Sequence, residues 1–99
     1  MLLLILNLKN GMIKMVEYRF KLTGVPPDHA VKTVDVDVNR NVSDAKKQVR
    51  KAYKLNPILA IQFIHKGKVL PENIRFASLS IHPKKDVITV MAVQAGGIN

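Results

Sequence analysis

Two glycines near the end of the chain, Gly96 and Gly97, are the residues best placed for chemistry. They follow an apolar stretch from Ile88 that reads as a final strand and a short tail, and they precede only Ile98 and Asn99. A glycine pair there suits a carboxylate that must thread a narrow enzyme channel. Glycine has no Cβ to clash and visits backbone regions closed to other residues. Glycines also collect in loosely held termini, so the weight of this pair depends on what precedes it.

Little else in the chain could react. There is no cysteine, which removes disulfides, thiolate metal sites and any thiol nucleophile, and is compatible with a reducing cytoplasm. Thiol chemistry would have to use a partner's cysteine. His29, His65 and His82 are far apart in sequence, with no acidic residue at ligand spacing, so no metal site is expected. Ser80 and His82 are too generic to suggest a triad, and no phosphate-cradling glycine loop is present. The chain reads as a non-enzyme that carries no cofactor.

Sixteen basic against seven acidic residues give a net charge of +9. Much of that charge falls in one predicted helix, at Lys46, Lys47, Arg50, Lys51 and Lys54. A helix needs a polar face, and lysine and arginine are good helix formers. An acidic protein partner or nucleic acid could also use such a face. No aromatic residue interleaves with it for stacking on bases, which disfavours nucleic acid.

The elements that must present the glycines are regular from Val16 onward. Val16, Tyr18, Phe20 and Leu22 alternate with polar neighbours as a half-buried strand. The stretch from Thr23 to Thr33, with Gly24 and Pro26-Pro27, reads as a loop, and Val34, Val36 and Val38 mark a second strand. Asn41, three residues before Asp44, opens a helix in the manner of a capping box. Val42, Ala45, Val49, Ala52 and Tyr53 form its apolar stripe. Asn56-Pro57 should close it, because a residue before proline avoids the α region. Ile61 to His65, a Lys66-Gly67 turn and Lys68 to Leu70 make a strand and a short return. Phe76, Leu79 and Ile81 pin an irregular segment to the core before the last strand. Strand, strand, helix, strand, short strand, strand predicts an α+β fold, a β-grasp in which a mixed sheet carries one helix on one face.

Ninety-nine residues at 47% apolar content allow one folded core. The domain is expected over 15–93, with a tail at 94–99 and an extension at 1–14. The apolar run Met1 to Leu6 is too short to span a bilayer and lacks the marks of a secretory signal. Met12 and Met15 leave room for a later start, Asn10-Gly11 for a hairpin arm, and the run itself for a membrane-seeking segment.

The chain resembles ubiquitin from Val16 to Gly97. The likeness rests on the Leu22-Thr23-Gly24 turn, on Asn41-Val42-Ser43-Asp44-Ala45-Lys46 opening the helix, and on Ile64-His65-Lys66-Gly67-Lys68 with Leu70. Leu79-Ser80-Ile81 and the terminal Gly96-Gly97 complete it. The resemblance implies a protein modifier. A peptidase would cut between Gly97 and Ile98. An ATP-dependent activating enzyme would adenylate the Gly97 carboxylate and take it as a thioester. A conjugating enzyme and a ligase would then deliver it to a target lysine as an isopeptide. Splitting one hard acyl transfer into easier ones is ordinary covalent catalysis.

The same resemblance implies an exposed patch at Leu22, Ile64 and Met91 for ubiquitin-receptor-like domains, and acceptor lysines for chains at Lys68 and Lys46. No membrane partner is implied. Departures are a longer loop after the first strand, Val93-Gln94-Ala95 where ubiquitin carries arginines, and Pro83 in place of a third chain-building lysine. With the basic, cysteine-free composition they point to an archaeal or otherwise divergent member. Two alternatives stand beside the modifier: a sulfur carrier using a Gly97 thiocarboxylate, and a ubiquitin-like interaction domain that never reacts.

Overall fold

The computed structural model describes residues 14–93. The expectations for the N-terminal segment and for Gly96, Gly97 and Ile98 lie outside the described residues. Strand β1 runs Met15–Leu22, and the residues that alternate through it, Tyr18, Phe20 and Leu22, all point inward and are buried. Strand β2, Val31–Asp37, buries Val34 and Val36, and Val38 just beyond it. The connection is not wholly loop: Pro27–Ala30 form a short helical turn, α1. Proline tolerates that first position because its missing N–H would have no helical partner there.

The main helix, α2, spans Val42–Ala52. Asn41 stands at its N-cap as expected, but its side chain caps nothing. The first amides are met by another segment instead: Val42 N–H donates to Ile74 O at 3.0 Å and Ser43 N–H to Glu72 O at 3.2 Å. The orphan donors of a helix start accept any such partner. At the other end the helix stops at Ala52, well before Asn56-Pro57. Leu55 N–H reaches back to Arg50 O at 2.8 Å and Lys54 N–H to Lys51 O at 3.2 Å, the paired bonds of a Schellman cap. That cap needs a left-handed residue, and Lys54 supplies it with φ 55°. Lys54→Gly should therefore stabilise the fold by about 0.5–1 kcal/mol, read as a rise of a few degrees in Tm. An unchanged or lower Tm would show that the lysine stem makes up the difference.

Strands β3 (Ala60–His65) and β4 (Lys68–Val69) form a hairpin whose two turn residues, Lys66 and Gly67, both have positive φ. Such a turn matches the twist of the flanking strands. A single 3₁₀ turn at Phe76–Ser78 seats Phe76 in the core, and β5 (Val87–Val93) completes the sheet. The sheet order is β2-β1-β5-β3-β4. β5 lies parallel to β1 on one side and antiparallel to β3 on the other. Val42, Ala45 and Val49 of α2 pack with Phe20, Phe63 and Ile88 into one core. Helix and core thus occupy one face of the sheet, as the mixed-sheet expectation requires.

Candidate functional site

Parity decides what the open face of the sheet displays. Ile61 and Phe63 are buried, so Ile64 turns outward, and Ile88 and Val90 likewise turn Thr89 and Met91 outward. Successive strand residues face opposite ways. The registers Lys21↔Val31, Lys21↔Thr89, Ile64↔Thr89 and Ile64↔Val69 draw one row across all five strands. Met91 pairs with Gln62 and so sits diagonally from Ile64, about 7–8 Å away in ordinary sheet geometry.

Leu22 is not part of this surface. It has the parity of Tyr18 and Phe20, lies opposite Val90, and is only 7% exposed. The third apolar member is Val69, 53% exposed and directly across from Ile64, with Met91 at 39%. With half-buried Ile64 they form an apolar group on the open face of the sheet. Val69 was findable in the sequence, since a two-residue turn at Lys66-Gly67 forces it opposite Ile64.

The two acceptor lysines part company. Lys68 is exposed at the edge of the sheet. Lys46 is buried, 4% exposed, with its Nζ 2.7 Å from Glu72 Oε2 and 6.0 Å from the centre of the Phe63 ring. Its amine is not presented to an incoming acyl group, which corrects the expectation for Lys46. The reason is helical spacing: Lys46 follows Val42 by four residues and precedes Val49 by three, so it lies on the apolar stripe. Its stem lines the core while its ammonium reaches a carboxylate at the rim.

His65 and Asp86 meet although 21 residues apart, with Nε2 2.9 Å from Oδ2. The same carboxylate oxygen accepts the His82 N–H at 3.0 Å, and His82 Nδ1 accepts the amides of Lys84 and Lys85 at 3.2 Å each. Sequence spacing gave no sign of this cluster. It ties the end of β3 to the turn before β5, beside Ile64. Among the described residues no three His, Asp or Glu side chains are grouped to hold a metal, and no helix is long and apolar enough to cross a membrane.

Glu72 and Asp86 both titrate below their ordinary values of 4.5 and 3.8. For Glu72 the cause is first the hydrogen bond from Lys46 and then its charge. For Asp86 it is first the His82 amide and then His65. A carboxyl depressed by folding binds its proton more readily in the unfolded chain. The stability it contributes is present above the unfolded value and is lost as pH falls through the folded one. Urea midpoints should hold above about pH 5 and decline below it, and the decline should flatten in Glu72→Gln. An equally steep decline in that variant would assign the acid sensitivity elsewhere.

No protein-family model and no curated protein matches the sequence. Solved structures are similar in fold. A ubiquitin of Caldiarchaeum subterraneum superposes with a TM-score of 0.66 at 18% identity, covering 85% of this chain and 100% of that one. The fold is ubiquitin-like. A computationally designed protein templated on human erythrocytic ubiquitin matches this ubiquitin-like chain with a TM-score of 0.62 at 25% identity, over 86% and 100% of the two chains. A chain from a structure on molecular mimicry of SUMO in DNA repair gives 0.62 at 16%, over 82% and 92%. The ubiquitin-like resemblance read from the sequence therefore holds at the level of architecture.

Proposed function

We propose that this protein is a ubiquitin-like modifier, released by cleavage between Gly97 and Ile98 and conjugated through Gly97 to lysines of target proteins. The observation that carries the reading is the coupling of a ubiquitin-like domain to a glycine pair three residues beyond its last strand, which ends at Val93. A peptidase hydrolyses the Gly97–Ile98 bond. The freed carboxylate attacks the α-phosphate of ATP and expels pyrophosphate. A cysteine of the activating enzyme displaces AMP to give a thioester, which passes to a conjugating enzyme. With a ligase's help a lysine amine attacks the carbonyl and the thiolate leaves. The use of ATP accords with the cytoplasmic setting expected from the sequence. The chain is an acyl carrier, and every nucleophile is supplied by a partner or target.

Ile64, Val69 and Met91 are the surface on which receptor-like domains would dock. Ile64→Ala should weaken that binding by roughly tenfold or more, as loss of a central apolar anchor does, at a stability cost of about 1 kcal/mol because the side chain is already half out of the core. A larger fall in Tm than in binding would reassign Ile64 to packing.

Mass spectrometry of the protein recovered from its own cells tests the main reading. A species ending at Gly97 together with lysine adducts supports it. A Gly97 thiocarboxylate without adducts selects a sulfur carrier, and only intact chain ending at Asn99 selects a non-reactive interaction domain. Trypsin's last site before Gly97 is Lys85, so the adduct to seek is the whole Asp86–Gly97 branch rather than a bare Gly-Gly.

A further inference from the structure

The C-terminal end of α2 carries a second surface, on the side of the sheet away from Ile64, Val69 and Met91. Lys47, Arg50, Lys51 and Lys54, with Leu55 and Pro57, line an open groove of about 600 Å³. No acidic residue lines it. Asp44 stands 3.7 Å from Lys47, and Glu72 is engaged by Lys46. Arg50 acts on Glu72 at longer range, and among the described residues Lys51 and Lys54 form no ion pair. Arg50 is held in place by its Nε–H bond to Leu59 O at 3.0 Å. Beside Pro57, Ile58 is 89% exposed, on a turn that Asn56 Oδ1 orders by accepting the Ile58 amide at 3.0 Å.

Cations near the end of a helix favour its dipole, which accounts for Arg50 and Lys51. It favours a cation at Lys54 as well, but not the left-handed backbone that glycine would hold at less cost, and it leaves Ile58 unexplained. Lys54 accepts that conformation, as Lys66 does in the β3–β4 turn, and it adds a fourth cation to a groove that stands beside an exposed isoleucine. We propose that this groove docks an acidic protein segment bearing at least one large apolar side chain, whose carboxylates meet the four cations and whose apolar group covers Leu55, Pro57 and Ile58. Nucleic acid fits it less well. The nearby ring, Tyr53, is half-buried, its hydroxyl lies within hydrogen-bond reach of Phe20 O and Ala30 O and donates to one of them, and Lys32 Nζ lies 5.7 Å from its centre. It is thus not a free stacking platform. Because the groove and the sheet patch face opposite ways, both could be occupied at once.

The test is fluorescence anisotropy of the full chain with a labelled synthetic peptide of alternating acidic residues and leucines, with the same peptide carrying serine for leucine, and with a random single-stranded DNA. The wild-type protein should bind the leucine peptide, and the K51E/K54E pair should weaken it at least tenfold, roughly the effect of placing like charges across an interface. Lys54→Gly, which keeps the cap, should weaken it about twofold to fivefold while raising Tm. The control pair K66E/K68E, on the β3–β4 hairpin, should change it less than about twofold. Equal losses in the two charge-reversed pairs would reduce the effect to net charge and overturn the proposal. So would equal binding of the serine peptide, tighter binding of DNA, or no binding of the leucine peptide by the wild type.

Discussion

Gly97→Ala is expected to abolish conjugates altogether. On the proposed function the carboxylate would enter an activating enzyme's site through a passage fitted to a backbone without side chains, and a methyl at the last position would meet its wall while limiting the available φ. Chemistry that depends on near-attack geometry is lost steeply with small displacements. Gly97 lies four residues past the end of β5 at Val93, so Tm should not move. The informative comparison is a chain ending at Gly97, which needs no peptidase and should conjugate even where that enzyme is missing. Conjugates formed by Gly97→Ala at the normal level would remove Gly97 as the reactive residue.

Phe63→Ala should have the largest effect on the fold itself. The ring is fully buried at the middle of β3, tilted against Phe20 with centroids 5.2 Å apart, and beneath the Lys46 ammonium. Deleting a buried phenylalanine costs roughly 3–5 kcal/mol. A domain of this size has only about 5–10 kcal/mol in hand, so much of the protein would be unfolded at modest urea. The variant also strips cover from Lys46. Phe63→Leu, which keeps most of the volume, should cost less than about 1.5 kcal/mol. Urea unfolding of the pair separates the two, and a cost below 1.5 kcal/mol for the alanine would show that the core collapses around the gap.

The strands, the helix and their order were legible because period-two and helical patterns are strong between Val16 and Val93. Structure departs from expectation where two patterns compete or none exists. Resemblance places Leu22 outward, but its parity with Phe20 puts it inside. The charge of Lys46 suggests the solvated face, whereas its spacing from Val42 and Val49 puts it on the buried stripe. The capping of α2 by Ile74 and Glu72 carbonyls, and the meeting of His65 with Asp86, join segments distant in the chain. No local rule reports such contacts. The helical turn at Pro27–Ala30 was hidden inside a stretch whose glycine and prolines read as loop.

The parallel pairing of β1 with β5 has a mechanical consequence. These are the first and last strands described, they are neighbours, and they are bonded along Arg19↔Val87 to Leu22↔Val90. Tension drawing their outer ends apart slides one along the other, loading those bonds together and not in succession. β5 is also gripped on its far side by β3. A modifier attached to its target through the end of β5 would thus be pulled along a strand braced on both sides. A motor hauling on a conjugate would be expected to yield the target first and the tag last.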